Sequence, residues 1–178
     1  MPARLAGQVL LAHPTMEDGN FRRSVVLLHA HDAAEGAFGV ILNRPLGREL
    51  GELERRFRTS PLAGVPLHAG GPVQTDRLAL GCWTLGPAGV TEIRFGLDET
   101  EASALVNNPA VRIRAYVGHS GWSPGQLENE LRHPAWVVAP LGPEVESLAG
   151  EDLWRRWLIR ERPELGLAAD APGDLGLN

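Results

Sequence analysis

The first candidates for chemistry are two histidines and an aspartate in the stretch HAHD, at His29, His31 and Asp32. On a β-strand, side chains at positions i and i+2 point to the same face, so both imidazoles could bind one metal ion. The longer His-x-His-x-Asp-His pattern of metallohydrolases is incomplete, because Asp32 comes one position early and no histidine follows it. A third ligand would have to be one of the remaining histidines, which are His13, His68, His119 and His133. A hydrolase or metal-dependent enzyme using His29 and His31 is one hypothesis, and a structural role at a strand end is the simpler one.

A serine lies in the short glycine-rich stretch Gly118-His119-Ser120-Gly121. This stretch matches half of the Gly-x-Ser-x-Gly nucleophile elbow, but Trp122 occupies the position of the second glycine and would crowd the turn. We therefore predict no catalytic residue here, and we expect a turn that leads into a helix.

Two other segments carry groups that bind anions. Arg22 and Arg23 precede Ser24, and the corner at 70–72 has the sequence Gly-Gly-Pro. The arginine pair suits either an anion or a structural ion pair at a solvated edge. The glycines suit either anion binding through backbone N–H groups or a sharp turn. Both alternatives stay open at the level of sequence.

The charge composition limits the classes of function. All 17 basic residues are arginine, so chemistry that depends on a lysine, such as a Schiff base or a Walker motif, is excluded. The net charge of −5 argues against binding of bulk nucleic acid or an anionic membrane. The arginine-rich stretches are interspersed with glutamate, which is typical of helix surfaces. Direct DNA binding by a regulator is retained as a third hypothesis, although no helix-turn-helix or zinc finger is evident.

A reducing cytoplasm is the predicted location. Cys82 is the one cysteine, so no internal disulfide can form. The N-terminus lacks the pattern of a signal peptide, and no apolar stretch approaches the roughly 20 residues of a membrane helix. We expect no membrane partner and no cofactor.

Alternating and helical periodicities predict a mixture of strands and helices. Strands are expected at 8–12, 24–31, 37–42, 78–85, 90–95, 111–118 and 135–140, and helices at 46–58, 98–107, 123–133 and 151–162. Antiparallel hairpins combined with crossovers indicate an α+β or mixed α/β domain.

Two helix starts show capping patterns. Ser123 is the predicted N-cap of one helix, with Pro124 at the first position and Gln126 completing a capping box. Asp98 and Glu101 predict a similar box at the start of another helix.

Several of these stretches together resemble the AlgH/YqgE family of bacterial proteins. They are GQVLLAHPTMEDGNFRRSVVLLHAHDAAEGAFGVILNRP at 7–45, GGPVQTDR at 70–77, and GWSPGQLENEL with the following AW at 121–136. The stretches occur in the order and at the spacing of the family, and the resemblance extends to about residue 157.

The resemblance implies an α+β fold with mixed or antiparallel bifurcated sheets curled into a pseudo-barrel, and helices packed outside. The family carries the label of transcriptional regulator without an established activity. Its polar motif positions correspond here to Arg23, Ser24, Asn43, Arg44, Asp76, Arg77, Gln126 and Glu128. With Trp122 beside them, these positions form the candidate surface or cleft for a ligand or partner.

We therefore expect one domain at 1–163 and a mobile tail at 164–178, which is rich in Gly, Ala, Asp and Pro. The leading hypothesis is a non-enzymatic binding or regulatory protein that acts through a protein partner or a small anionic ligand. It rests on a motif set that lacks a complete catalytic constellation.

Overall fold

The computed structural model describes residues 4–172 of the chain. The strands are β1 (Gln8–Ala12), β2 (Val25–Asp32), β3 (Gly36–Ile41), β4 (Pro45–Glu49), β5 (Pro66–Ala69), β6 (Val73–Gly86), β7 (Gly89–Phe95), β8 (Val111–Trp122) and β9 (Trp136–Pro140). The helices are α1 (Leu50–Leu53), α2 (Glu99–Leu105), α3 (Gln126–Leu131), α4 (Glu144–Ser147), α5 (Gly150–Glu161) and α6 (Gly166–Asp170). Two 3₁₀ turns lie at Arg55–Phe57 and Pro163–Leu165.

The sheet branches at the long strand β8. The end of β8 pairs with β3, where Trp122 lies opposite Ala37, and its earlier part pairs with both β5 and β6. One branch continues in the order β3-β2-β1-β9, another in the order β5-β4, and the third in the order β6-β7. In the described chain β4, β7 and β9 have one strand partner each, so the curled sheet does not close. The α+β class with branched sheets is confirmed.

Apolar runs explain the central strands and the helix that covers them. The side chains from Val25 to Leu28 in β2 are all buried, as expected for a strand covered on both faces. On α5, Leu153, Trp154 and Trp157 recur at helical spacing and are buried in the same core. The indole of Trp154 donates a hydrogen bond to the carbonyl of Ala12 at 2.8 Å, which fixes α5 against β1. No helix in residues 4–172 is both long and apolar enough to cross a membrane.

The helix predicted at 46–58 is wrong over most of its length. Residues 45–49 instead form β4, which pairs with β5, and only a short helix and a 3₁₀ turn follow. Leu50 and Phe57 are buried, but Leu46 and Leu53 are 43% and 40% exposed, so the four do not share one face. Pairing with a distant strand has overridden the local helical period.

The caps of the other helices show where local signals succeed. Asp98 accepts a hydrogen bond from the Glu101 backbone N–H, and Glu101 accepts one from the Asp98 N–H, so that capping box is confirmed. The predicted N-cap at Ser123 is wrong, because α3 begins after Gly125, whose φ of 78° interrupts the helical backbone. Half of the predicted box still forms, since the Gln126 side chain accepts a hydrogen bond from the Ser123 N–H at 3.0 Å. Residues 118–122, predicted as a turn, continue β8 instead.

The part of the predicted tail that the structure describes has regular structure. Ala169 of α6 is buried, and Asp170 forms an ion pair with Arg155 of α5. Within the segment predicted to be mobile from residue 164, α6 packs on α5. The mobility of this segment stays a prediction. The rest of that segment, 173–178, lies outside the described residues.

Candidate functional site

The residues singled out in the sequence fall into three groups, and each group has its own partners. The first lies at the junction of the β1–β2 loop, the end of β3 and the start of α5. The second lies on the exposed first half of β6. The third surrounds α3.

Asn43 holds the first group together. Its side-chain oxygen accepts a hydrogen bond from the Val25 N–H at 2.8 Å, and its amide donates to the carbonyls of Arg23 and Gly150, each at 2.9 Å. Both amide hydrogens and one oxygen lone pair are used, and the residue is only 4% exposed. Asn43 is therefore a structural tie between three chain segments, whereas the hydroxyl of the buried Ser24 has no hydrogen-bond partner within residues 4–172.

Arg23 has a strained backbone and a fully engaged side chain. Its φ of 54° lies in the left-handed region, which costs energy in a residue with a Cβ. The guanidinium donates to Glu151 at 2.5 Å and to the carbonyl of Ala171 at 2.6 Å, and it lies 5.5 Å from the ring centre of Trp154. These contacts bind the β1–β2 loop to α5 and to the segment after α6.

Beside Arg23 lies a groove of about 600 Å³, called here the arginine groove. It is lined by Pro14, Thr15, Met16, Glu17, Arg22, Arg23, Ala168, Ala171 and Pro172. Arg22 is half-buried, and within residues 4–172 its side chain makes no hydrogen bond or ion pair. The backbone carbonyl of Arg22 accepts a hydrogen bond from Arg44 at 3.4 Å, and burial lowers the pKa of the Arg44 guanidinium. Two adjacent arginines thus lie in one wall of a concave site.

The second group is exposed and does not join the first. Asp76 and Arg77 lie in β6 between its pairings at Val73 and Leu78, where the register with β8 shifts. Neither side chain has a hydrogen bond or ion pair to another described residue.

The glycine corner before this segment has a packing role. A Cβ on Gly71 would lie 2.3 Å from the His119 carbonyl, so only glycine permits this approach of the corner to β8. Ser120 is fully buried and donates to the Gly70 carbonyl at 3.1 Å. This hydroxyl ties the corner to β8.

The third group is organised by Glu130, which the sequence analysis did not single out. One carboxylate oxygen accepts hydrogen bonds from the indoles of Trp122 at 2.9 Å and Trp136 at 2.8 Å. The other accepts from the Gln126 amide at 3.0 Å. The two indoles stand edge to face, 6.0 Å apart, and Phe21 contacts both. The tryptophans on either side of the predicted helix were the signal for an acceptor between them.

The two histidines of the metal hypothesis have different partners. A β-bulge between Leu28 and Ala30 makes His29 the extra residue, which breaks the i, i+2 relationship. The His29 ring stacks on Phe95 at 4.1 Å, and burial, with His119 nearby, lowers its pKa to about 4. His31 instead bonds to Glu128 on α3 at 2.8 Å. In the described part of the chain, no three His, Cys, Asp or Glu side chains are grouped closely enough to hold a metal ion.

Comparisons with known proteins agree over nearly the whole chain. The model of the family described as DUF179, AlgH-like, matches residues 9–165. A UPF0301 protein of Streptomyces coelicolor, SCO2948, is 40% identical over 98% of this chain and 95% of its own length. A second UPF0301 protein, Cpha266_0885 of Chlorobium phaeobacteroides, is 36% identical over 97% of this chain and 95% of its own length.

Two solved structures share the fold. Protein DIP2367 of Corynebacterium diphtheriae aligns with a TM-score of 0.72 at 27% identity, covering 94% of this chain and 92% of that one. The solution structure of the AlgH protein from Pseudomonas aeruginosa aligns with a TM-score of 0.68 at 28% identity, covering 98% and 97%. The branched sheet is thus common to this chain and to experimentally determined relatives.

Proposed function

Because the chain belongs to the AlgH-like family, we propose that it is a non-enzymatic binding or regulatory protein whose ligand is a small anion held in the arginine groove. The observation that carries this proposal is the adjacency of Arg22 and Arg23 in one wall of that groove. Its volume of about 600 Å³ falls within the range typical of small-molecule sites. We favour a carboxylate or phosphate ligand over a protein partner for this reason.

Arg22 and Arg23 have different roles in this proposal. Arg22 contacts the ligand, because its guanidinium is uncommitted within residues 4–172 and has the donor geometry that binds a carboxylate or phosphate with two parallel hydrogen bonds. Arg23 is a positioning residue, since its bonds to Glu151 and Ala171 hold the two walls of the groove together. Glu17, which also lines the groove, disfavours highly charged anions and favours ligands that carry a hydrogen-bond donor.

The geometry gives less support to the alternatives. A serine hydrolase would need an accessible Ser120, and this side chain is fully buried. A metal enzyme built on His29 and His31 would need both rings at one site, and their partners lie on different elements. Direct DNA recognition is disfavoured by the net charge of −5. A regulatory role would then pass through the bound ligand.

The proposed setting is the cytoplasm. The support comes from Cys82, a free and buried cysteine. Burial raises the pKa of its thiol, which keeps it protonated and unreactive.

Calorimetric titration with inorganic phosphate, phosphate monoesters and di- and tricarboxylates tests the proposal. We expect at least one anion to bind, and Arg22→Gln to weaken its binding about tenfold or more. Arg58→Gln removes the same charge from an exposed position outside the groove and should leave binding unchanged. Absence of binding across the panel, or an equal effect of both variants, would refute the proposal. Turnover of an ester or phosphate by chelator-treated protein would instead favour an enzyme.

A further inference from the structure

The strand β7 has an outer edge that is not paired with another described strand. It pairs only with β6 among the described strands, and a groove of about 220 Å³ separates residues 90–93 from Gln8, Pro140 and neighbouring residues. The Gly96 N–H donates to the Leu80 carbonyl at 2.9 Å on the β6 side. Backbone groups alternate in direction along a strand, so those of Ile93 and Phe95 face the outer edge.

The side chains of β7 give this edge little protection against pairing with another strand. Ile93 and Phe95 pack toward the core, and the strand contains no proline. Its charged residues are Glu92 and Arg94, which are both exposed and share the outward face. Natural edge strands are commonly protected by charged side chains, prolines, β-bulges or inward-pointing charges. β7 has a bulge at Thr91, outside the stretch 92–94, and its two charges are of opposite sign, so they do not repel a strand that carries the complementary charges.

We propose that β7 is a self-association surface, on which β7 of a second copy pairs antiparallel about a two-fold axis at Ile93. This register places Glu92 of each copy opposite Arg94 of the other, so two ion pairs form across the axis. Ile93 exchanges backbone hydrogen bonds with its counterpart. The Glu92–Arg94 positions are then non-hydrogen-bonded pairs, in which cross-strand side chains approach most closely.

The charge pattern identifies a second copy as the occupant. When two copies of β7 pair antiparallel, Glu92 of each copy faces Arg94 of the other. A strand of another protein would have to carry the same two opposite charges at the same spacing. Arg94 also bonds to Glu101 of α2 through one nitrogen at 2.9 Å, and its remaining N–H groups stay available for Glu92 of the second copy. A contact made by one strand edge is small, so we expect weak association that depends on concentration and salt.

Sedimentation velocity over a wide concentration range tests this surface with charge-reversal variants. We expect Glu92→Arg and Arg94→Glu each to raise the dimer dissociation constant about tenfold or more, because like charges then face each other. The double variant Glu92→Arg/Arg94→Glu restores both ion pairs and should return the constant to near the wild-type value. Glu35→Arg makes the same charge change in an exposed turn and serves as the control.

Circular dichroism confirms that each variant is folded before its association is scored. Wild-type protein that stays monomeric at its highest soluble concentration would overturn the proposal. Single variants that dissociate the dimer without rescue in the double variant would overturn it equally. The anion titrations at low concentration do not depend on either result, so the two proposals fail separately.

Discussion

His31 Nε2 lies 2.8 Å from Glu128 Oε1, and this contact joins the end of β2 to α3. His31 Nδ1 accepts a hydrogen bond from the Leu5 N–H at 3.3 Å, so the tautomer with its proton on Nε2 satisfies both contacts. Both ring nitrogens are thereby engaged with protein groups. The same contact assigns Glu128, a family motif position, a role in docking α3 onto the sheet.

Replacing Glu128 should lower stability in a manner that depends on pH. The Glu128 backbone N–H, and then the His31 hydrogen bond, lower the pKa of the Glu128 carboxyl. A lowered pKa adds stability above the unfolded value of 4.5, and that stability is lost as the pH falls through the folded value. We expect Glu128→Ala to cost about 1 kcal/mol at neutral pH and less in acid. Urea denaturation measures both values.

The matched control for Glu128→Ala is Asn129→Ala, which truncates an exposed neighbour on the same helix. It should change stability little at any pH. If Glu128→Ala lowers the free energy of unfolding equally at neutral and acid pH, the negative charge of Glu128 does not contribute to the contact.

Glu130 should be far more important for stability than its partial exposure indicates. Glu130→Ala leaves the indole N–H groups of Trp122 and Trp136 without their acceptor, and both rings are buried. We expect a loss of about 3 kcal/mol, because each unsatisfied buried donor costs about 1–3 kcal/mol. For a chain of this size the melting temperature should fall by about 10 °C.

Differential scanning calorimetry of Glu130→Ala and Glu130→Gln separates the hydrogen bonds from the charge. The glutamine retains an oxygen that can accept from both indoles, so we expect it to lose less than half as much stability. Equal losses in the two variants would mean that the negative charge, rather than the acceptor geometry, stabilises the pair.

The outcomes of a predicted capping box and of a predicted helix show how far sequence reasoning reached. The box of Asp98 and Glu101 depends only on neighbouring residues, and it formed as predicted. The helix at 46–58 failed because the competing partner, β5, lies about 20 residues away and leaves no local signal. The Ser123 cap, although equally local, failed because Gly125 has a left-handed backbone. Local patterns were therefore informative only where neither a backbone break nor a distant strand intervened.

The candidate site shows the same limit. The resemblance indicated Arg23 and Asn43, but nothing in the local sequence indicates that Asn43 bonds to Gly150 or that Arg23 bonds to Glu151. The arginine groove also depends on α6, in a segment whose composition suggested mobility. The candidate positions were therefore identified without their partners, which only the folded chain supplies.

His68 should make the protein less stable as the pH is lowered through the mildly acid range. Burial, and then nearby Arg114, lower its pKa to about 4 from 6.5. Between these values the unfolded chain binds the proton and the folded protein does not, so unfolding is favoured as the pH drops. The buried Nδ1 atom also has no hydrogen-bond partner in residues 4–172. We expect a contribution on the order of 2 kcal/mol across this range.

The measurement is the slope of unfolding free energy against pH between 6.5 and 4 for wild type, His68→Gln and His133→Gln. His68→Gln should flatten the slope whatever its effect at neutral pH. His133 is exposed, and its replacement should leave the slope unchanged. Identical slopes in all three proteins would contradict the assignment to His68.

The left-handed backbone of Arg23 predicts an unusual order of stability between two substitutions. Arg23→Ala and Arg23→Gly both remove the bonds to Glu151 and Ala171, so they differ only in the cost of the backbone. At a φ of 54° a Cβ is strained and glycine is not, so we expect Arg23→Gly to be more stable by about 1 kcal/mol. The same two substitutions at Arg22, whose φ is not positive, should give the opposite order, because glycine there only adds flexibility to the unfolded chain. Chemical denaturation of the four variants measures both differences. If alanine is the more stable residue at both positions, the backbone at Arg23 is not strained in solution.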